Sequence, residues 1–547
     1  MIKKLLLLVT GLASNVFVAN AQCTETDVTR VMLIGDSWAQ FIGADGCINT
    51  ALSKWGHTKY KFYTNSVLAE NGTVTTDFVD PVRLAEIQNQ LNLHPDIDLV
   101  QLSLGGNDVL NTWNINYTPA QTDSLLDSVY ARLTFIIDFI KTAKPGVRVL
   151  WSGYAYPNFG EIIEGQAPFQ STHPFYGLWS GMGFPTFIEL NTILNTYSSS
   201  MDTLAANDPQ VEFVRGTGLM QYYYGQPTAL GIPPGGTYPA LSATLPDGFS
   251  NYPSPKPSMR NYLIFRDCFH LSPDAFNLFV EYQTQKFYHK ALMDDQYFIS
   301  EGGSRDGSVS SLGSVSTLLQ MGNDGTDDYA TVLSFNTAVM PDTGVSAASI
   351  FLRRESLVGV NPIGSSLQIK IASGGFSLSA NVEASDYTDP GDGSAVPCLF
   401  GSNDGNGHWI RLELPPSFLP FISNDTLTQF IISAPGAAGL VTFTGATDAD
   451  FAPVLNITYG PETVSIAENN ALPKSIITYP NPTYGPLVIE TNGVKISEIE
   501  VFNLPGELVL KQELKNNSIN LAELPAGMYI VKIYTESGMV VSRVVKR

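Results

Sequence analysis

Ser37 ends the tripeptide Gly35-Asp36-Ser37, which directly follows the apolar run Val31-Met32-Leu33-Ile34. A serine hydroxyl is a weak nucleophile until a base takes its proton during attack. His270 can be that base, because imidazole titrates near neutral pH without perturbation. Asp267, three residues earlier, can hold one ring nitrogen while the other faces Ser37. A carboxylate in that place fixes the tautomer and stabilises the imidazolium that forms. The oxyanion that develops on an attacked carbonyl also needs donors already in position. Asn107 lies in Gly105-Gly106-Asn107-Asp108, after the apolar run Leu99 to Leu104, and offers a side-chain amide. The backbone N–H groups of Ser37 and Gly72 offer two more. In isolation Gly-Asp-Ser and Gly-Gly-Asn-Asp are turn-formers, and Asp-x-x-His recurs by chance. Found together at the ends of predicted strands, they point to acyl transfer through a serine nucleophile.

The elements that would carry these residues alternate in type. Arg30 to Ile34, Tyr60 to Asn65, Asp98 to Leu104, Arg148 to Gly153 and Val211 to Arg215 are short, β-branched or aromatic, and mostly not alternating. Such runs suit strands covered on both faces. Between them the pattern predicts helices at Pro81 to Leu91, Pro119 to Ala143, Thr186 to Leu204 and Pro273 to Ala291. The clearest is Pro119 to Ala143, with Thr118 as cap, proline at the first helical position and Lys141 and Lys144 near its end. Its set Leu125, Leu126, Val129, Leu133, Ile136, Ile137 and Ile140 keeps the helical period. Ser272 is placed to cap the last helix, so the Asp-His turn sits just ahead of a rigid element. Strands alternating with helices predict a parallel sheet between helix layers. Ligands bind such sheets at the carboxyl ends of strands, where Ser37 and Asn107 both fall.

In order and spacing these motifs resemble the SGNH/GDSL hydrolase family over about residues 28–292. Asn71-Gly72-Thr73 looks like the family's second block, and Gly72 as an oxyanion donor follows from that likeness. The resemblance implies a flavodoxin-like three-layer α/β/α sandwich, hydrolysis of carboxylic esters through an acyl-enzyme, and no cofactor. It assigns Ser37, Asp267 and His270 to catalysis, and Ser37, Gly72 and Asn107 to the oxyanion hole. An acylated polysaccharide is one expected substrate, and a lipid or short-chain ester is the alternative. A surface glycan-binding or adhesion protein whose hydrolase domain no longer turns over is the rival of another class.

Beyond the expected hydrolase domain, 22–295, the pattern changes. Residues 296–314 read as a linker because Ser300 to Ser314 is rich in Gly and Ser. Residues 315–460 lose helical periodicity and read as an all-β sandwich. Ala330 to Phe335, Ala347 to Leu352 and Ala452 to Tyr459 resemble the DNRLRE family of extracellular β-sandwiches, which implies a glycan-binding or spacer role. A second linker is expected at 461–472. Residues 473–547 resemble the type IX secretion sorting domain, on Tyr479-Pro480-Asn481-Pro482, Leu524 to Tyr529 and the basic end Val545-Lys546-Arg547. That implies the type IX machinery as partner and release or attachment at the cell surface.

The first residues agree with export. Lys3-Lys4, the apolar Leu5 to Val9 and Ala19-Asn20-Ala21 form a signal peptide, 1–21, with a small-x-small cleavage site. No segment carries the roughly 18 uninterrupted apolar residues of a transmembrane span. A net charge of -21 repels phosphate backbones and anionic lipid, so nucleic acid is not an expected partner. Four cysteines (23, 47, 268 and 398) permit disulfides, with Cys23–Cys47 the expected pair and Cys268 a buried small hydrophobe. The other histidines lack ligand spacing, and Asn323 to Asp328 lacks the closing Glu of a calcium loop, so no metal is assigned.

Overall fold

The computed structural model describes residues 23–547 apart from 225–250, 343, 364–366, 461–476, 491–494, 504–506, 514–516 and 536–537. The signal peptide, Gly231 to Gly236 and the 461–472 linker lie outside the described residues. The chain divides into two compact units, Met1–Gly460 and Pro461–Arg547.

The first part of the larger unit is a three-layer α/β/α sandwich. Strands β1 (Val28–Gly35), β2 (Tyr60–Tyr63), β3 (Leu99–Ser103), β4 (Arg148–Ser152) and β5 (Val211–Val214) form a parallel sheet in the order 2-1-3-4-5. Every residue of β3 is buried, as a strand covered on both faces requires. The predicted helix Pro119–Ala143 forms as read. Thr118 and Gln121 make a reciprocal capping box, and Leu126, Val129, Leu133, Ile136, Ile137 and Ile140 are buried. Because β1 is flanked by β2 and β3, the crevice at its carboxyl end is the switch point of the sheet.

A hairpin of β6 (Met259–Tyr262) and β7 (Phe265–Leu271) follows, then the helix Pro273–Gln283, capped by Ser272. That helix continues through a π turn, Thr284–Tyr288, to His289–Ala291. The expected linker at 296–314 is not one. Strand β8 (Gln296–Ile299) pairs with Val454–Tyr459, and β9 (Gly307–Ser310) pairs with Asp328–Phe335. Small residues serve close packing here rather than freedom. Ser308 and Ser310 are buried, and a Cβ on Gly307 would lie 2.2 Å from the Ser316 carbonyl oxygen.

The sheets from β8 to Tyr459 are antiparallel around Leu333, Phe335, Ile350, Leu352, Ile369, Phe430 and Leu455. The long strand Val345–Gly359 pairs first with Val454–Tyr459 and Trp409–Glu413, then with Gly439–Phe443. Asn323 to Asp328 forms the tight turn between two of these strands, and the Asn323 and Asp324 side chains accept from the turn's own N–H groups.

The disulfide also differs from expectation. Cys23 bonds Cys398, not Cys47. Cys47 opens the helix Cys47–Lys54 and is fully buried as a free thiol in the α/β core. That segment instead runs beside the β-sandwich, where Glu25 pairs with Arg411. Cys268 is buried in β7 as expected, and burial pushes its thiol well up.

The smaller unit holds two antiparallel sheets around Leu487, Ile499, Val531 and Ile533.

Candidate active site

Ser37 is the first residue of the helix Ser37–Ala44, placed there by the abrupt end of β1. Gly35 passes so close to β3 that an added Cβ would lie 1.9 Å from the Ser103 carbonyl oxygen, so the backbone can turn at once. The Asp36 N–H donates to that same carbonyl, and the Asp36 carboxylate caps the helix through the Trp38 N–H, 2.9 Å away. The turn leaves Ser37 buried but facing the crevice.

His270 reaches it from β7. The His270 Nε2–Ser37 Oγ distance is 2.7 Å, and His270 Nδ1 lies 2.8 Å from Asp267 Oδ2. The second Asp267 oxygen accepts the backbone N–H groups of Phe269 and His270, both at 2.9 Å. With the carboxylate so fixed, Nδ1 carries the hydrogen and Nε2 is free to accept the serine proton. Phe41 meets the imidazole edge-on at 4.9 Å, and Arg260 lies over Phe41 while pairing with Asp45. Three of the sequence-derived residues are thus brought into one hydrogen-bonded chain.

Asn107 follows β3 on the helix Gly106–Thr112 and shares a pocket wall with Ser37. One of its amide hydrogens goes to the Thr73 carbonyl, 3.0 Å away, which leaves the other for a ligand. Thr73 is the neighbour of Gly72, whose φ of +79° bends the loop. Gly72 itself is exposed and is not among the residues lining the pocket. The loop is held by residues outside the sequence-derived set. Asp108 accepts from the Thr75 N–H and hydroxyl at 2.8 and 2.5 Å and from Arg132 at 3.2 Å, pinning the loop to the helix. Asp108 was visible as the last residue of its motif, but Thr75 and Arg132 carried no local signal.

The pocket beside Ser37 encloses about 30 Å³, room for a group the size of one or two waters. Its apolar walls include Trp38, Leu110, Tyr154, Pro157 and Phe269. Tyr154, which follows β4, was also missed. Only its place beyond a strand's carboxyl end could have marked it.

Comparison with known proteins adds to this geometry. Residues 477–547 match the secretion system C-terminal sorting domain, so the chain carries a signal for type IX export to the cell surface or beyond. No curated protein matches the chain. Among solved structures, similar ones include a carbohydrate esterase family 3 protein from Talaromyces cellulolyticus, 13% identical, covering 48% of this chain and 97% of that one with a TM-score of 0.26. A GDSL-like lipase from Bacteroides thetaiotaomicron is 13% identical over 48% and 89% of the two chains, with a TM-score of 0.25. A lipase from goat rumen metagenome is 10% identical over 48% and 98%, at 0.28. At TM-scores this low the likenesses carry no weight, and the three-layer assignment stands on the strand order. No helix among the described residues is long and apolar enough to cross a membrane.

Proposed function

We propose that this exported chain is a serine ester hydrolase that acts through an acyl-enzyme. Ser37 Oγ attacks the ester carbonyl while its proton passes to His270 Nε2, and Asp267 stabilises the imidazolium. The tetrahedral oxyanion is held by the Ser37 N–H and the free Asn107 amide hydrogen, whereas Gly72, exposed and outside the pocket lining, is left out of the oxyanion hole. His270 then returns the proton to the leaving alcohol. In the second half-reaction it activates the water that releases Ser37. The observation that carries this reading is the continuous chain from Asp267 through His270 to Ser37, with hydrogen-bond distances of 2.8 and 2.7 Å.

A pocket of about 30 Å³ suits a short acyl group, and acetyl is the proposed one. The alcohol is proposed to be a sugar hydroxyl of an acetylated polysaccharide, which agrees with a site of action outside the cell. A lipid ester is favoured by a different feature. Leu263 and Ile264 are 84% and 90% exposed at the tip of the hairpin that carries Asp267 and His270.

The test is hydrolysis of p-nitrophenyl esters. Wild type should cleave the acetate, and Ser37→Ala should lower kcat/KM by on the order of 10⁴-fold or more. Equal rates from both proteins would refute the serine mechanism. Rates that fall from acetate through butyrate to octanoate support the short-acyl assignment, and rates that rise favour the lipid ester.

A further inference from the structure

We propose that Tyr154 is a positioning residue for this reaction, acting through the buried carboxylate of Asp36 to hold the turn that aims the Ser37 hydroxyl and N–H. The proposal rests on the serine esterase reading and extends it to a residue whose ring lines the pocket and whose hydroxyl bonds Asp36 rather than Ser37 or His270. Asp36 is 2% exposed and immediately precedes the nucleophile. One carboxylate oxygen accepts the Trp38 N–H at 2.9 Å, and the other accepts the Tyr154 hydroxyl at 2.7 Å.

The first turn of a helix has N–H groups without intrahelical partners. The Asp36 carboxylate takes that of Trp38, and no described residue accepts that of Ser37. The cap thereby fixes the direction in which the Ser37 N–H points, toward the place where an oxyanion would form. A cap works best as an ionised acceptor. Burial opposes this and pushes Asp36 up to about 7, while the Tyr154 hydroxyl and the Trp38 N–H pull it back down. Asp108 adds to the upward push. Near neutral pH, then, the hydroxyl of Tyr154 decides how much of the cap is in its working form.

The same tyrosine braces the opposite wall. Its ring lies under Gly106, where an added Cβ would be 3.1 Å from Tyr154 Cζ, one residue before the Asn107 amide. It also meets Trp38 edge-on at 5.1 Å. One side chain therefore spans the turn after β1 and the turn after β3, and those turns supply Ser37 and Asn107.

The experiment is a double-mutant cycle on the full chain with Tyr154→Phe, Asp36→Asn and the pair. Rates for p-nitrophenyl acetate are normalised to sites titrated by a p-nitrophenyl phosphonate, so that misfolded molecules do not count. Each single variant should lose kcat by about 10- to 100-fold with KM within about twofold of wild type. The Tyr154 hydroxyl donates to Asp36 and also accepts from the Gly106 N–H, and the double variant should be no slower than Asp36→Asn within about twofold if the bond to the carboxylate is the one that matters for rate. Losses that multiply, an unchanged kcat in Tyr154→Phe, or a raised KM at constant kcat would overturn the proposal, the last by showing that Tyr154 shapes the pocket instead. Equal rates for wild type and Ser37→Ala would sink the esterase reading and this one together. A Ser37-dependent rate indifferent to Tyr154→Phe removes only this one.

Discussion

Two buried histidines stand at opposite ends of one helical run. His270 precedes the helix Pro273–Gln283, and His289 lies where its continuation ends. Their exposure is nearly the same, 5% and 4%. Their partners are not. His270 holds a carboxylate on Nδ1 and a serine hydroxyl on Nε2. His289 Nδ1 meets only His57 Nε2, at 3.0 Å, among Trp55, Phe351 and Trp409. Burial, helped by the Lys290 charge and only partly offset by Asp450, drives His289 down to about 3, and burial takes His57 well below its ordinary range. Both rings are therefore neutral, and one donates to the other. Two rings equally buried thus differ in what they touch: a carboxylate and a serine hydroxyl at His270, another histidine at His289.

The inert pair also shows how the β-sandwich is attached. Trp55 from the α/β part stacks on Trp409 from the sandwich with ring centroids 5.2 Å apart, and Phe351 closes over both histidines. Lys286 pairs with Asp450 at 2.6 Å, and Asp294 accepts from Asn456 and Thr458. With β8 entering the sandwich directly after the helical run, the sandwich is fused to the α/β layer rather than tethered to it.

The contrast breaks most visibly at His270. His270→Ala should lower kcat/KM toward p-nitrophenyl acetate by about 10³-fold or more, because among the described residues His270 is the base hydrogen-bonded to the Ser37 hydroxyl. Its thermal midpoint should fall as well, because the buried Asp267 carboxylate loses its ring partner, so rates are compared per folded molecule. A variant that kept activity would erase the distinction between the two rings.

A smaller effect is expected at the other end. His289→Leu leaves the buried His57 Nε2 without its partner, which costs about 1–3 kcal/mol of stability. Replacing both rings (His57→Phe with His289→Leu) removes donor and acceptor together and should recover much of that loss. Denaturant unfolding measures each step, while kcat per folded molecule should not change. A pair that proved no more stable than the single variant would mean that shape, not hydrogen bonding, holds this interface.

The difference between the ends could be only partly read from the chain. The helix Pro119–Ala143 is legible, its start to the residue and its end approximately, because Thr118, Pro119 and the apolar period are all local. Ser37 and Asn107 are legible because each opens a helix after a strand with distinctive neighbours, and Asp267 and His270 because their spacing repeats a known pattern, although both lie within β7 rather than in a turn. The Cys23–Cys398 bond was not, since it joins residues 375 apart and depends on the sandwich closing onto the N-terminal segment. Gly307 to Ser310 was misread because small residues look alike in a flexible linker and in a closely paired strand. His57 and His289 were read as scattered because their meeting depends on the interface. Tyr154 carried no motif, and its partner Asp36 is named by its sequence neighbours but explained only by its burial.

Stability should also depend on pH, by an amount comparable to the loss in His289→Leu. In the unfolded chain His289 titrates at about 6.5, and in the folded one at about 3. Below pH 6.5 the unfolded state therefore binds a proton that the folded state refuses. Stability is complete above that pH and declines as pH falls toward 3, the sign expected for a depressed histidine. At pH 5 the gap spans one and a half units, or roughly 2 kcal/mol at about 1.4 kcal/mol per unit. His57 shifts in the same direction and adds to the loss. Urea unfolding at pH 7.5, 6 and 5 should show wild type weakening along this course, with the His57→Phe, His289→Leu pair weakening less. The same slope in both proteins would assign the acid sensitivity to other groups and leave the two histidine ends indistinguishable by pH.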